Sequence, residues 1–236
     1  VLNTAVAESL RQYADALEKA EDFNETLHAL IRDTIRSHKR IIFNGNGYDG
    51  AWVEEAQRRG LLNLKTTPDC LPYFTSPKNI ALFAAHKVFS ETEIRARYDI
   101  LLDNYSKIIN IEAVTMLDMS KKDLLPAYSA YARCLGETIN AKKAALSGVD
   151  CTYEEEQLKK ISALCGCMYQ KAQALEDALL HLDQIECDGL ARAKYYQQTV
   201  LSAMNELRIA ADEMESIAGR SFYPYPNYGD LLFGVR

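Results

Sequence analysis

The chain has 236 residues, of which 48% are apolar and 25% charged, so it can hold one large domain or two small ones of ordinary globular composition. The formal net charge of −6 and the pI of about 5.3 argue against sequence-independent binding to nucleic acid or to anionic lipid, since both need a basic surface. No apolar run approaches the roughly 20 residues that span a bilayer, so we expect no membrane partner, and the acidic net charge predicts no nucleic-acid partner. Six cysteines without a CxxC pair favour a reducing, cytoplasmic location.

The first ninety residues predict short helices and loops. Apolar residues at helical spacing predict an amphipathic helix over residues 1–20, and Asn24 is a candidate cap for a second helix with Leu27, Leu30, Ile31 and Ile35 facing inward. Residues 44–50 hold three glycines and two asparagines, which is typical of a loop.

Three further segments complete this region. Residues 51–59 predict a helix that ends before Gly60, and residues 61–75 carry Pro68 and Pro72 and predict irregular structure. Ser76 followed by Pro77 predicts the start of a helix that continues to about residue 89.

Long amphipathic helices follow from Ser90 to Gly219. Three helix starts carry a capping-box pattern: Ser90 with Glu93, Ser120 with Asp123, and Thr152 with Glu155. One predicted helix keeps a stripe at alternating spacings of three and four, formed by Leu158, Ile161, Cys165, Met168, Ala172, Leu175, Leu179 and Leu182.

The predicted fold is therefore all-α. Because the links between the long helices are short, sequence neighbours should be antiparallel, which gives an up-down four-helix bundle over residues 90–219. A smaller helical subregion, residues 21–89, precedes the bundle. An extended aromatic tail, residues 220–236, follows it.

Five large aromatic residues crowd into the tail beside Pro224 and Pro226: Phe222, Tyr223, Tyr225, Tyr228 and Phe233. The prolines argue against a regular helix there, and large aromatic side chains are seldom left in water. We expect the tail to occupy a groove, either on this chain or on a neighbouring subunit, and the five residues are candidate tail and assembly contacts.

The motifs of known chemistry are weak. Gly45, Gly47 and Gly50 match a dinucleotide-binding pattern, but no strand–helix–strand unit surrounds them, so a connecting loop is the better interpretation. The four histidines are scattered, and the acidic run 154–156 suits a helix start better than a metal. The six cysteines form no CxxC pair and are interpreted as core residues in a reducing compartment. We predict no catalytic, cofactor-binding or metal-binding residue in this chain.

Four phrases carry a resemblance to one enzyme family: residues 3–8 (NTAVAE), 42–48 (IFNGNGY), 58–67 (RRGLLNLKTT) and 228–233 (YGDLLF). In this order they resemble the C-terminal region of type III glutamine synthetase, over essentially the whole chain. The resemblance implies a parent enzyme that joins glutamate and ammonia with ATP and Mg²⁺ or Mn²⁺. That enzyme's active-site motifs have no match in this sequence, so no catalytic residue is transferred.

The resemblance also implies an arrangement. Residues 1–20 would be the last helix of an upstream catalytic domain, and the remainder a helical extension that supports folding, assembly or regulation. The partners would be that catalytic domain and other subunits of a homo-oligomer. The alternative is a freestanding helical scaffold unrelated to the enzyme, and a weaker possibility is that the loop region 44–69 binds a nucleotide or metabolite.

Overall fold

The described residues, 1–183 and 188–234 of a computed structural model, contain helices, turns and loops and no strand, so the predicted all-α class is confirmed. The chain divides into two compact units, Val1–Leu102 and the described residues from Asp103 onward. Each unit is described by itself below.

The first unit contains five short helices and the start of a long one. They are α1 (Leu2–Glu18), α2 (Phe23–Ser37), α3 (Gly50–Arg58), α4 (Thr67–Phe74), α5 (Pro77–Ala85) and the beginning of α6 (Glu91–Asp118), with a 3₁₀ turn at Lys39–Ile41. The α1 helix packs against α2 and α5, and α4 packs against α5. Phe83 is fully buried between the rings of Phe74 and Phe89, with centroid distances of 5.8 and 5.5 Å.

Some helices begin or end at residues other than those predicted from the sequence. Asp22, not Asn24, caps α2, because its carboxylate accepts the N–H of Glu25. The prediction of irregular structure over residues 61–75 holds for residues 61–66 but is wrong for Thr67–Phe74, which form α4. Pro68 occupies the first turn of this helix, where its missing N–H costs nothing. The α5 helix ends at Ala85 rather than near residue 89.

The apolar faces of α1 and α2 are only partly covered. Val6 and Leu10 of α1 are exposed, and so are Ile31 and Ile35 of α2, two of the residues predicted to face inward. In α1 the buried or half-buried positions include Thr4 and Glu8, and Glu8 contacts His86, the residue that follows α5, at 2.7 Å. The unit therefore presents apolar surface that its own helices do not cover.

The predicted break at Ser120 is wrong. The α6 helix leads through a π-helical segment, Met119–Leu124, into α7 (Leu125–Ala145), so Glu91–Ala145 is one continuous helical run. Ser120 and Asp123 lie inside that run instead of capping a new helix. The two helices predicted on either side of Ser120 are therefore not antiparallel neighbours.

Pro126 gives a physical reason for the π-helical segment. Its ring has no N–H and would clash with the carbonyl four residues earlier in a regular α-helix. Just before it, the N–H of Leu125 donates to the carbonyl of Ser120, five residues back, which widens the turn. The wider turn lets the helix continue past a residue that would otherwise end or kink it.

The return helix is α8 (Thr152–Asp183), and it carries the predicted stripe. Ile161, Met168, Ala172 and Leu175 are fully buried, which confirms the helical register. The capping box predicted between Thr152 and Glu155 is replaced by other contacts. Asp150 accepts the N–H and hydroxyl of Thr152, and Glu155 pairs with Lys143 at the end of α7.

The last long segment is α9 (Gly189–Tyr195), a π-helical segment (Tyr196–Val200) and α10 (Leu201–Ile217), again one continuous run. The α8 helix packs against both α7 and α10. The four separate helices predicted for residues 90–219 are thus three long helical runs in the described part of the chain. At the first predicted start, Ser90 and Glu93 do form the capping box.

The cysteine prediction is confirmed for some positions only. Cys151 is buried and Cys134 and Cys165 are partly buried, as small core residues would be. Cys70 and Cys167 are exposed, which the sequence interpretation did not anticipate. Cys187 lies outside the described residues.

Candidate functional site

Phe222 attaches the C-terminal segment to the second unit. The chain leaves α10 at Ile217 and makes a 3₁₀ turn, Arg220–Phe222. The ring of Phe222 packs on Tyr131 of α7 with a centroid distance of 5.1 Å, beside Leu135 and Ile161. Residue 219 is a glycine at this contact, where an added Cβ would lie 3.4 Å from the Tyr131 ring.

Tyr223 and Tyr225 continue the attachment. Their rings meet edge to face at 5.8 Å, and both pack on the main hydrophobic core of the second unit. The hydroxyl of Tyr225 donates to the Oδ2 atom of Asp123 at 2.8 Å, and the hydroxyl of Tyr223 bonds to Glu215. Burial, followed by the bond to Asp123, raises the pKa of Tyr225 to about 12.

A cavity of about 540 Å³ lies beside these rings. Its walls come from the end of α6, the first π-helical segment, α7, α10 and the tail. The cavity is lined by apolar, aromatic and charged side chains that include Glu112, Met116, Met119, Tyr128, Met204, Leu207, Arg208, Asp212, Glu215, Tyr223 and Tyr225. The volume is in the range of small-molecule sites.

Tyr128 has a buried hydroxyl in this wall. The side chain is fully buried, and its Oη atom has no hydrogen-bond partner among the described residues. Burial raises the pKa of Tyr128, and the nearby Tyr223 and Glu215 raise it further, so the phenol is neutral at physiological pH. A buried polar atom without a hydrogen-bond partner destabilises the folded state.

The end of the tail differs from its start. Residues Tyr228–Phe233 form a short helix, α11, so the tail is not extended throughout. Pro224 and Pro226 lie in the non-helical segment before this helix. Asn227 and Asp230 form a complete capping box, and Arg220 pairs with Asp230 at 2.6 Å. The N–H of Asn227 and then the guanidinium of Arg220 lower the pKa of Asp230.

The α11 helix exposes its apolar side chains. Tyr228 is 83% exposed, Leu231 64%, Leu232 69% and Phe233 82%. Four large apolar residues in one six-residue helix form an exposed patch of the kind found where proteins associate. We call the side chains Tyr228, Leu231, Leu232 and Phe233 the tail patch.

The five predicted tail residues therefore separate into two groups. The structure brings Phe222, Tyr223 and Tyr225 together against the second unit, while Tyr228 and Phe233 belong to the exposed tail patch. Sequence reasoning missed the contribution of Asp123, which it assigned to a helix cap. It also missed Tyr128, whose helical spacing indicates burial but not a missing hydrogen-bond partner.

The glycine-rich loop is organised by packing. An added Cβ at Gly45 would lie 2.6 Å from the ring of Phe43, which stacks on Trp52 at 4.5 Å. Arg59 lies against Trp52 and donates to the carbonyl of Ile42 at 2.7 Å. A side chain at position 45 would therefore require the Phe43 ring to shift from its contact with Trp52.

No group of three or more His, Cys, Asp or Glu side chains among residues 1–183 and 188–234 is arranged to hold a metal ion. Glu154 and Glu155 of the acidic run instead pair with Lys142 and Lys143 across the turn between α7 and α8. Among the helices described above, none has both the length and the apolar character that crossing a bilayer requires.

Comparison with known proteins gives a consistent family. The model of the glutamine synthetase C-terminal domain matches residues 26–143. A glutamine synthetase of Butyrivibrio fibrisolvens is 41% identical over 216 residues, which is 92% of this chain and 31% of that protein. A type-3 glutamine synthetase of Dictyostelium discoideum is 33% identical over 239 residues, 99% of this chain and 32% of that protein. A glutamine synthetase of Bacteroides fragilis is 25% identical over 242 residues. The chain thus spans about a third of the length of these curated relatives.

Proposed function

We propose, because this chain belongs to the glutamine synthetase C-terminal domain family, that it supports subunit assembly of an ATP-dependent glutamate–ammonia ligase. Family membership also removes the alternative of a scaffold unrelated to that enzyme. The observation that carries the assembly role is the tail patch: four large apolar side chains presented to solvent on a helix with its own capping box.

The tail patch is held at a defined position. Phe222, Tyr223 and Tyr225 fix the preceding segment to the second unit, and the Arg220–Asp230 ion pair ties α11 back to that segment. A surface that is ordered before binding loses less conformational entropy when a partner covers it. We infer that the partner of the tail patch is another subunit of the same enzyme.

We propose that the ligase reaction takes place in parts of the enzyme other than this chain. The parent enzyme is proposed to use ATP with Mg²⁺ or Mn²⁺ in the cytoplasm, as the family implies. Among the described residues, no group of three or more His, Cys, Asp or Glu side chains is arranged to hold a metal ion. Alone, the chain is expected to form no glutamine from glutamate, ammonia and ATP.

A second surface fits the proposed upstream partner. Val6 and Leu10 of α1, together with Ile31 and Ile35 of α2, leave apolar area uncovered in the first unit. We propose that residues 1–20 continue a catalytic domain, as the family resemblance implies, and that this face packs on it. Burying such side chains stabilises an interface by roughly 25 cal/mol per Å² of apolar area.

The assembly role is tested by Leu232→Ser combined with Phe233→Ser in the intact polypeptide that carries this chain. We expect the association constant between subunits to fall at least about tenfold, because apolar anchors at the centre of an interface dominate its energy. Mass photometry over a dilution series gives the distribution of oligomers.

The matched control is Ile209→Ser on α10. Its side chain is 68% exposed, close to the 69% of Leu232, but it lies outside the tail patch. The control is expected to leave the oligomer unchanged. An unchanged oligomer in the Leu232/Phe233 variant would contradict the proposed role.

A further inference from the structure

The cavity beside the tail has an apolar interior. Met116 and Met119 from α6 and the first π-helical segment face Met204 and Leu207 from α10, and the rings of Tyr223 and Tyr225 close one side. Methionine side chains are flexible and polarisable, so they adapt to apolar ligands of different shape. An apolar or aromatic molecular body therefore fits this interior.

The charged residues of the cavity favour a cation. The guanidinium of Arg208 lies 3.4 Å from the carboxylate of Asp212, so the positive charge of Arg208 already has a partner in the same wall. Glu112 makes no ion pair with another described residue, and Glu215 accepts a hydrogen bond from Tyr223. With three carboxylates and one guanidinium in its lining, the cavity carries a net negative charge.

The buried hydroxyl of Tyr128 supplies the second observation. Tyr128 lines the cavity, and the groups that act electrostatically on its phenol, Tyr223, Glu215 and Tyr225, line the same cavity. The phenolic oxygen can accept a hydrogen bond, and no described residue donates one. Because this oxygen is buried in the cavity wall, its contact with a bound molecule requires the side chains that cover it to move.

We propose that this cavity binds a small organic ammonium compound, with the apolar or aromatic body among the methionines and the protonated amine between the Tyr128 hydroxyl and the carboxylates. The amine would donate to the phenolic oxygen of Tyr128 and to Glu112 or Glu215, and the tyrosine rings favour a cation over their faces. This site goes beyond the assembly role and does not depend on it.

Three indole compounds of similar size test the proposal in the intact polypeptide: tryptamine, which is cationic, tryptophol, which is neutral, and indole-3-propionate, which is anionic. Titration calorimetry is expected to show binding of tryptamine. Tryptophol should bind about tenfold more weakly, and indole-3-propionate should give no measurable heat, since the carboxylates repel it.

Two substitutions locate the binding. Glu112→Gln removes an exposed carboxylate and should weaken tryptamine binding about tenfold, while Glu137→Gln, an exposed carboxylate on α7 outside the cavity, should not. Tyr128→Phe should weaken tryptamine binding severalfold and at the same time raise the midpoint of urea unfolding, since it deletes a polar atom that has no partner. Tyr131→Phe on the same helix is the control for loss of a hydroxyl.

Some results would overturn the proposal. They are the absence of heat with tryptamine, equal affinity for the three probes, and unchanged tryptamine affinity in Glu112→Gln. Because Glu112 is exposed, its substitution leaves the core intact, so a lack of effect cannot be attributed to misfolding.

Discussion

Tyr128 and Tyr225 line the same cavity but have different hydrogen bonding. Tyr225 donates to Asp123, whereas the hydroxyl of Tyr128 has no described partner. Both phenols have a raised pKa, chiefly because burial disfavours the phenolate. Ionisation of either phenol at high pH should therefore weaken the packing of the tail on the second unit.

The first prediction concerns alkaline pH. The pKa of Tyr225 is about 12 in the folded chain and ordinarily near 10 in an unfolded one, so the neutral phenol favours folding. Its contribution is fully present below pH 10 and is lost as the pH rises through 12. We expect Tyr225→Phe to make the midpoint of urea unfolding fall less steeply over that window.

Tyr48→Phe is the matched control, because Tyr48 is fully exposed in the loop region. It should leave the pH dependence of the wild type unchanged. A Tyr225→Phe variant whose unfolding midpoint follows the wild type throughout the window would refute the assignment. Circular dichroism at 222 nm follows the unfolding in each case.

The sequence allowed part of the site to be predicted at this scale. It indicated that Phe222, Tyr223 and Tyr225 require cover, because large aromatic rings beside prolines are seldom left in water. It did not indicate that Asp123 accepts the hydroxyl of Tyr225, because the two are 102 residues apart. Such a pair depends on the tertiary fold and leaves no local spacing signal.

Among the elements, α8 agrees most closely with its sequence pattern. Its stripe repeats at three and four residues, and Leu175 at the middle of it is fully buried in the main core. The break predicted at Ser120 failed because a capping-box pattern is local, whereas the π-helical segment lets a helix continue past Pro126. Local start signals are therefore weaker evidence than a long buried stripe.

The second prediction tests the stripe. Leu175→Ala should lower the free energy of unfolding of the second unit by about 2–5 kcal/mol, since it removes buried methyl groups and leaves a cavity. Leu180→Ala on the same helix, where the side chain is 54% exposed, should cost much less. Urea unfolding followed by circular dichroism at 222 nm compares the two variants. Equal losses of unfolding free energy would show that the stripe is not the core-facing side of α8.

The third prediction compares two glycines. Gly60 ends α3 with a φ of +71°, a conformation that strains residues with a Cβ, so Gly60→Ala should cost about 1 kcal/mol. Gly166 lies within α8 with open space around an added Cβ, so Gly166→Ala should stabilise that helix by about 0.5–1 kcal/mol.

Native-state hydrogen exchange of amides in α3 and in α8 measures these local effects separately. The expected outcome is faster exchange in α3 for Gly60→Ala and slower exchange in α8 for Gly166→Ala. A change of exchange rate in the same direction in both helices would mean that the backbone conformation of the glycine does not determine the effect of the substitution on stability.

For the whole molecule, the sequence predicted the helical class and the family, and the structure and comparisons confirm both. It could not predict that the tail divides into docked rings and an exposed helix. The same property, large aromatic side chains near prolines, is shared by Phe222 and Phe233, yet one packs on Tyr131 and the other is 82% exposed. The difference depends on whether the folded second unit offers a surface within reach of each ring, and local composition does not determine this.

The most direct test of the assembly role replaces residues 228–233 of the intact polypeptide with a flexible Gly-Ser segment of equal length, which removes α11 and keeps the docked rings of Phe222, Tyr223 and Tyr225. The native mass of the assembly is then measured by mass photometry beside the wild type. The account predicts smaller assemblies of subunits whose circular dichroism and unfolding midpoint are unchanged. An assembly of wild-type mass would contradict it.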